Sequence, residues 1–168
     1  MFCLQLHPAN GMISLPAARV PAEAALQAGR KEIMSDLARF REGHKRDYET
    51  ALREVKSGRK RSHWMWYIFP QIQGLGHSSN AKYYAIKDKE EAIAYWNDPV
   101  LSAHLIEICH ELLKQDSPID WIMGYPDNLK LRSCMTLFYL VSNESIFQEV
   151  LDKFYAGEQD EYTKNKLM

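Results

Sequence analysis

Hydrophobic residues recur at helical spacing from residue 35 onward, and this pattern predicts a series of amphipathic helices. Ser35 is a suitable N-cap for the first helix, and Gly58 suits the position just after its end. The residues at helical spacing along one face of that helix are Leu37, Phe40, His44, Tyr48, Ala51, Leu52 and Val55. The rest of the sequence does not alternate between strand and helix patterns, which favours an all-α fold.

Capping residues mark the starts of the later helices. Asp88, Asp98, Ser117 and Asp127 each precede an apolar helical pattern, and Ser145 starts another. Proline directly follows the second and third of these residues, where it fits the first position of a helix. Neither an internal repeat nor a linker divides the chain after residue 34. The sequence therefore predicts a single compact multi-helix domain over residues 35–168.

Residues 1–34 differ from the rest of the chain. They contain Pro8, Pro16 and Pro21 and show little periodicity. Their start lacks the basic region of a secretory signal. We interpret this segment as a poorly ordered N-terminal extension outside the domain, with Met34 marking where a shorter chain would begin.

The densest aromatic segment is His63-Trp64-Met65-Trp66-Tyr67-Ile68-Phe69-Pro70-Gln71. Periodicity does not distinguish a short buried helix from a buried strand in a run of this length, so both remain open. Aromatic side chains this dense bury a large area. Most of the segment is therefore expected to be core, with Trp64, Tyr67 and Ile68 pointing inward.

The ends of the aromatic segment are better candidates for a site, because they adjoin the polar loop 71–80. Trp66 offers a stacking surface, and Gln71 offers an amide. His63 is the candidate general acid or base, although a single histidine is more often structural and needs a partner to act. Ser78 follows two glycines of the loop, and glycines let backbone N–H groups approach an anion. The loop does not match a P-loop or a dinucleotide fingerprint.

Composition narrows the class of protein. The 168 residues are 46% hydrophobic and 26% charged, with a formal net charge of −1, which excludes a fibrous or wholly disordered chain. No apolar run approaches the roughly 20 residues that span a bilayer, so we expect no membrane partner. Three cysteines without disulfide or metal-ligand spacing indicate a reduced, cytoplasmic protein. The sequence predicts neither a metal site nor a cofactor.

The charges are unevenly distributed. Residues 39–61 hold nine Lys or Arg against four Asp or Glu, and residues 144–161 hold six Asp or Glu against one Lys. Arg59 and Lys60 adjoin the aromatic segment, and cations beside stacking surfaces suit phosphate-bearing ligands. An anionic small molecule and nucleic acid are therefore both candidate partners. A solvated helix face remains the simpler explanation of the basic stretch.

The helix that begins near Asp127 carries a polar stripe. Lys130, Ser133 and Thr136 fall on neighbouring turns of one face in an otherwise apolar helix. This stripe points into a pocket, or else the two hydroxyls bond to carbonyls of their own helix. The sequence leaves these alternatives open.

The aromatic segment, with Gly74-Leu75-Gly76 and Asp127 through Phe138, resembles the bacterial family called domain of unknown function 1810, whose members are sometimes labelled calpastatin. The likeness covers about residues 35–167 and implies a compact, mainly helical protein without an assigned activity. The lysine-containing late helix and the Lys-Phe pair that follows it also show a looser similarity to helical N-glycosidases that process ADP-ribose-type metabolites.

Three functions follow as hypotheses. The first is a small-ligand protein for a nucleotide-like or ADP-ribose-like metabolite, with hydrolase or N-glycosidase chemistry as an extension. It requires a pocket that gathers residues 63–78 with Lys130. The second is nucleic-acid binding through residues 39–61. The third is a non-catalytic interaction module, which a fold without a polar, concave pocket would favour. The sequence indicates no oligomeric state.

Overall fold

A computed structural model of the protein describes residues 26, 27, 29 and 37–168. The Ser35 cap and most of the predicted extension lie outside these residues. The described part is all-α, as predicted, with one isolated bridge between Ile72 and Ile86. Its helices between residues 37 and 168 are α1 (Ala38–Lys56), α2 (Met65–Ile68), α3 (Ser79–Tyr83), α4 (Lys89–Asn97), α5 (Pro99–Leu113), α6 (Ile119–Met123), α7 (Asp127–Ser142), α8 (Ser145–Tyr155) and α9 (Glu161–Leu167).

Several of the predicted helix ends are confirmed. The Asp98 side chain accepts hydrogen bonds from the backbone N–H groups of Val100 and Leu101, and Pro99 is the first residue of α5. The Asp88 side chain caps α4 by accepting from the N–H of Glu91. Gly58 follows the end of α1 with a φ of 70°, a conformation that glycine adopts without a steric penalty.

Two predicted caps are wrong, because each side chain has a different position or partner. α6 follows Pro118, and Ser117 makes no cap. Ser145, by contrast, begins α8 as predicted, and its hydroxyl donates to Glu149. Asp127 is the second wrong cap: it is the first residue of α7, and its carboxylate bonds to two lysines rather than to the helix N-terminus.

The core lies between α1, α5, α7 and α8. α1 packs against α2 and α5, while α7 packs against α4, α8 and α9. The aromatic segment forms the short helix α2, and Trp64, Tyr67 and Ile68 are buried as predicted. After α2 the chain enters loop 71–78, which is tied to the domain where the N–H of Ile86 donates to the carbonyl of Gln71 and the N–H of Gln73 donates to the carbonyl of Ile86. In the described part of the chain, no helix is long and apolar enough to span a membrane.

Gly43 sets the distance between α1 and α2. A Cβ at this position would lie 2.6 Å from Cδ2 and 3.0 Å from Cβ of Tyr67, so the root of the Tyr67 side chain would have to move. We expect Gly43→Ala to lower the free energy of unfolding by about 1–2 kcal/mol through overpacking, although alanine favours the helix by about 1 kcal/mol. Urea denaturation measures this change.

The Tyr67→Ala background provides the control for this prediction. With the ring removed, only the contact with the Tyr67 Cβ remains, so the same Gly43→Ala change should lower the free energy of unfolding by less than it does in the wild-type protein. A Gly43→Ala variant as stable as the wild-type protein would contradict the proposed close approach.

Candidate functional site

A cleft of about 430 Å³ lies between the end of α2, loop 71–78 and α7; we call it the α7 cleft. It is lined by Trp66, Gln71, Leu75, Gly76, His77, Ser78, Ala81, Pro126, Leu129, Lys130, Arg132, Ser133 and Asp160. Five of the site residues predicted from sequence lie on its wall: Trp66, Gln71, Ser78, Lys130 and Ser133. The cleft therefore gathers the aromatic segment, the glycine-containing loop and the polar stripe of α7.

Trp66 and Lys130 form the aromatic and cationic part of the α7 cleft. The Lys130 Nζ lies 4.9 Å from the centroid of the Trp66 ring, within the range of a cation–π interaction. Trp66 is only partly buried, so part of its ring is available for stacking. The arrangement presents a positive charge beside a flat apolar surface.

Asp127 holds Lys130 in place and also binds Lys60. Its two carboxylate oxygens lie 2.7 Å from Lys130 Nζ and 2.7 Å from Lys60 Nζ. Burial raises the pKa of Asp127, but the hydrogen bonds and charges of the two lysines outweigh it and hold that pKa below its ordinary value. Two cations share one carboxylate, so the cluster retains one net positive charge. Lys60 does not line the α7 cleft. It affects the cleft by sharing the Asp127 carboxylate with Lys130.

Ser133 and Thr136 both bond to carbonyls of their own helix. Ser133 Oγ donates to the carbonyl of Leu129 at 3.2 Å, and Thr136 Oγ1 donates to the carbonyl of Arg132 at 2.9 Å. Thr136 is fully buried and also accepts the backbone N–H of Asp160. Of the two alternatives left open by the sequence, back-bonding holds for both hydroxyls, and only Ser133 also reaches the cleft wall.

His63 and Arg59 lie outside the α7 cleft. His63 is exposed, and its carbonyl accepts a hydrogen bond from the Tyr67 hydroxyl. The Arg59 guanidinium lies 3.9 Å from the centroid of the Trp121 ring, and Trp121 is 60% exposed. The structure thus does not bring these two residues to Trp66 and Lys130.

Three polar residues of the cleft wall were missed by the sequence reasoning: His77, Arg132 and Asp160. His77 lies within the glycine-containing loop, and Arg132 follows Lys130 by two positions, so the sequence around each of them already indicated a candidate site. The sequence around Asp160 gave no such indication, because this residue reaches the cleft from the start of α9. The Asp160 side chain accepts from the Thr163 N–H at 2.9 Å and the Thr163 hydroxyl at 2.7 Å.

Loop 71–78 needs glycine for its shape. Gly74 has a φ of 103°, and a Cβ there would overlap the hydroxyl oxygen of Tyr162. The same hydroxyl donates to the carbonyl of Gln73 at 3.3 Å. Close approach to α9 therefore explains this glycine without any ligand.

Much of the basic charge of residues 39–61 is neutralised within the described structure. Arg39 pairs with Glu91 at 2.8 Å, Arg41 pairs with Asp98, and Arg46 pairs with Asp47 at 2.7 Å. Lys60 adds the bond to Asp127. Among the described residues, His, Cys, Asp and Glu form no group of three or more with the geometry to hold a metal ion.

The fold and the cleft define a small all-α protein with a basic, aromatic pocket. The chain belongs to the family described as Protein of unknown function (DUF1810), whose model matches residues 34–167, so the resemblance seen in the sequence is confirmed. It is also similar to the crystal structure at 1.38 Å of the conserved hypothetical protein Rv1873 from Mycobacterium tuberculosis, with 40% identity and a TM-score of 0.77. That match covers 79% of this chain and 96% of the other. No curated protein matches the chain.

Proposed function

We propose that the protein binds an anionic, nucleotide-like small molecule in the α7 cleft. The observation that carries this proposal is the position of Lys130 Nζ, 4.9 Å from the centroid of the Trp66 ring, on the wall of a 430 Å³ cleft. A base stacks on an indole ring, and a phosphate binds an ammonium group. The indole ring and the ammonium group together favour a ligand that carries both a base and a phosphate.

The surrounding polar groups support the same ligand class. Gln71 and Ser78 line the cleft opposite α7 and supply an amide and a hydroxyl for hydrogen bonds. Leu75, Ala81 and Leu129 provide apolar wall. A mostly apolar pocket with a few converging polar groups is typical of small-molecule sites.

Calorimetry and thermal unfolding with AMP, NAD and ADP-ribose test the proposal. We expect Trp66→Leu to weaken binding about 5- to 100-fold, because stacking on an aromatic ring is worth about 1–3 kcal/mol per base. Lys130→Met should weaken binding by a similar factor, because a hydrogen bond to a charged group is worth about 1.5–3 kcal/mol.

Another tryptophan–cation pair of the described structure, Trp121 with Arg59, provides the matched controls. Trp121→Leu and Arg59→Met remove a tryptophan and a cation that also contact each other but lie outside the α7 cleft. They should bind these ligands as the wild-type protein does. Wild-type protein that binds none of the three ligands, or equal losses in both pairs of variants, would refute the proposal.

Hydrolysis of an N-glycosidic bond is a second function that the cleft supports, because Asp160 brings a carboxylate to its wall. A carboxylate there accepts the proton of an attacking water while the base departs from the sugar. The test is release of nicotinamide from NAD or adenine from AMP, measured by chromatography. Asp160→Asn retains an N-cap for α9 and should bind ligand without turnover.

Nucleic-acid binding through residues 39–61 is the alternative from a different class. It predicts affinity that falls steeply with salt concentration. The ion pairs of Arg39, Arg41, Arg46 and Lys60 reduce the charge available for phosphates. Binding to RNA or DNA that Lys130→Met leaves unchanged would favour this alternative over the α7 cleft.

A further inference from the structure

Arg132 lies at the boundary between two clefts. It lines the α7 cleft, and it also lines an adjoining cleft of about 460 Å³ formed by Arg132, Glu158, Gln159, Asp160, Glu161 and Tyr162. Arg132 and Asp160 are common to both. A ligand that fills the α7 cleft and extends past Lys130 therefore meets the Arg132 side chain.

The partners of Arg132 leave its binding capacity largely unused. Its Nη1 lies 3.8 Å from Glu158 Oε2, and the Glu158 side chain is 76% exposed, so this ion pair is weak. Among the residues that the structure describes, none offers a hydrogen-bond acceptor to its Nε, although that atom is buried. A buried donor of a charged group is normally paired, and an exception calls for an explanation.

The other carboxylates near Arg132 already have partners. Asp160 accepts two hydrogen bonds from Thr163 at the start of α9. Glu161 pairs with Lys164 at 2.9 Å. Among the described residues, the long contact with Glu158 is therefore the one ion pair of Arg132.

We propose that Arg132 binds a second anionic group of the ligand, so that the α7 cleft prefers a nucleoside diphosphate over a monophosphate. This inference rests on the proposed function of the cleft. Lys130 and Arg132 both line the α7 cleft, so one molecule in the cleft contacts both cations. The planar guanidinium presents paired N–H donors that match the oxygens of a phosphate.

The experiment compares ADP with AMP by titration calorimetry on the full chain. Wild-type protein should bind ADP about ten times or more tightly than AMP, because a charge-assisted hydrogen bond of this kind corresponds to at least that factor. Arg132→Met should bring the ADP:AMP affinity ratio close to one while AMP affinity stays within about twofold. Arg132→Lys retains the charge and should keep part of the preference.

Arg53→Met is the matched control, since Arg53 is an exposed arginine of α1 that bonds to Thr50 and does not line either cleft. It should keep the wild-type ratio. Wild-type protein that binds both nucleotides equally, or an Arg132→Met variant with an unchanged ratio, overturns the role of Arg132 while the proposed function stands. Wild-type protein that binds neither nucleotide overturns the role of Arg132, and if it also binds neither NAD nor ADP-ribose, the proposed function is overturned as well.

Discussion

Replacing Glu54 by alanine is expected to lower the free energy of unfolding by about 3–4 kcal/mol. Glu54 is a buried residue of α1 whose carboxylate accepts hydrogen bonds from the backbone N–H groups of Arg61 and Ser62, from the Ser62 hydroxyl and from Trp64 Nε1. Trp64 is fully buried, so its indole N–H loses its hydrogen-bond acceptor when the carboxylate is removed. Urea denaturation at pH 7 measures the loss.

Two variants separate this effect from the general cost of changing α1. Glu54→Gln keeps one acceptor oxygen and should lose about half as much stability as Glu54→Ala. Glu42→Ala removes an exposed carboxylate of the same helix and should change the free energy of unfolding by less than about 0.5 kcal/mol. Equal stability of Glu54→Ala and Glu42→Ala would contradict the view that this carboxylate anchors residues 61–64 ahead of α2.

Stability is expected to fall by about 3 kcal/mol as the pH drops from 6.5 to 4, because of His44. His44 is buried, with Nε2 at 2.8 Å from the carbonyl oxygen of Tyr67 and Nδ1 at 3.0 Å from Nδ1 of His104. The carbonyl only accepts, so Nε2 carries the proton of neutral His44 and Nδ1 accepts from His104. Protonation of His44 would remove this acceptor, and His104 would have to give up the hydrogen bond that it donates.

The sign of the pH effect follows from the two states of the imidazole. Burial, reinforced by the charge of His104 and opposed by the Tyr67 carbonyl, lowers the pKa of His44 from 6.5 to about 4 in the folded protein. Between these values the unfolded chain binds the extra proton and the folded protein does not. The contribution is therefore fully present above pH 6.5 and is lost as the pH falls toward 4.

Denaturation curves at pH 8, 6.5, 5 and 4 test this expectation. The slope of stability against pH between 6.5 and 4 should become shallower in His44→Gln, whose amide retains a donor for the Tyr67 carbonyl. His110→Gln removes an exposed histidine of α5, the helix that carries His104, and should keep the wild-type slope. A wild-type slope in His44→Gln would contradict the assignment, and an NMR titration of the His44 ring checks it without mutation.

Local sequence signals predicted most of the helices. Asp98 and Pro99 define the start of α5 because both the side-chain cap and the proline act on the backbone next to them. The inward positions of Trp64, Tyr67 and Ile68 followed from their apolar character alone. The same signals failed at Asp127, where attraction to Lys60 and Lys130 outweighs the capping role of the carboxylate.

The candidate site was predicted in part. Trp66, Gln71, Ser78, Lys130 and Ser133 line one cleft, although no local pattern relates the segment before residue 80 to α7. His63 and Arg59 are separated from it because α2 places Trp66 beside α7 while these two residues lie exposed at the surface. The sequence could not predict Asp160 as a site residue, because its place beside Arg132 depends on how α9 packs on α7.

The sequence by itself determined the all-α class and most of the helix positions, because helical periodicity and capping depend on neighbours within a few residues. The tertiary structure decided whether the aromatic segment forms a helix or a strand, which partner Asp127 takes and where Arg132 lies. These outcomes depend on contacts between residues that are far apart in the chain. Burial and charge pairing across helices set such contacts, and a single sequence does not encode them as a local pattern.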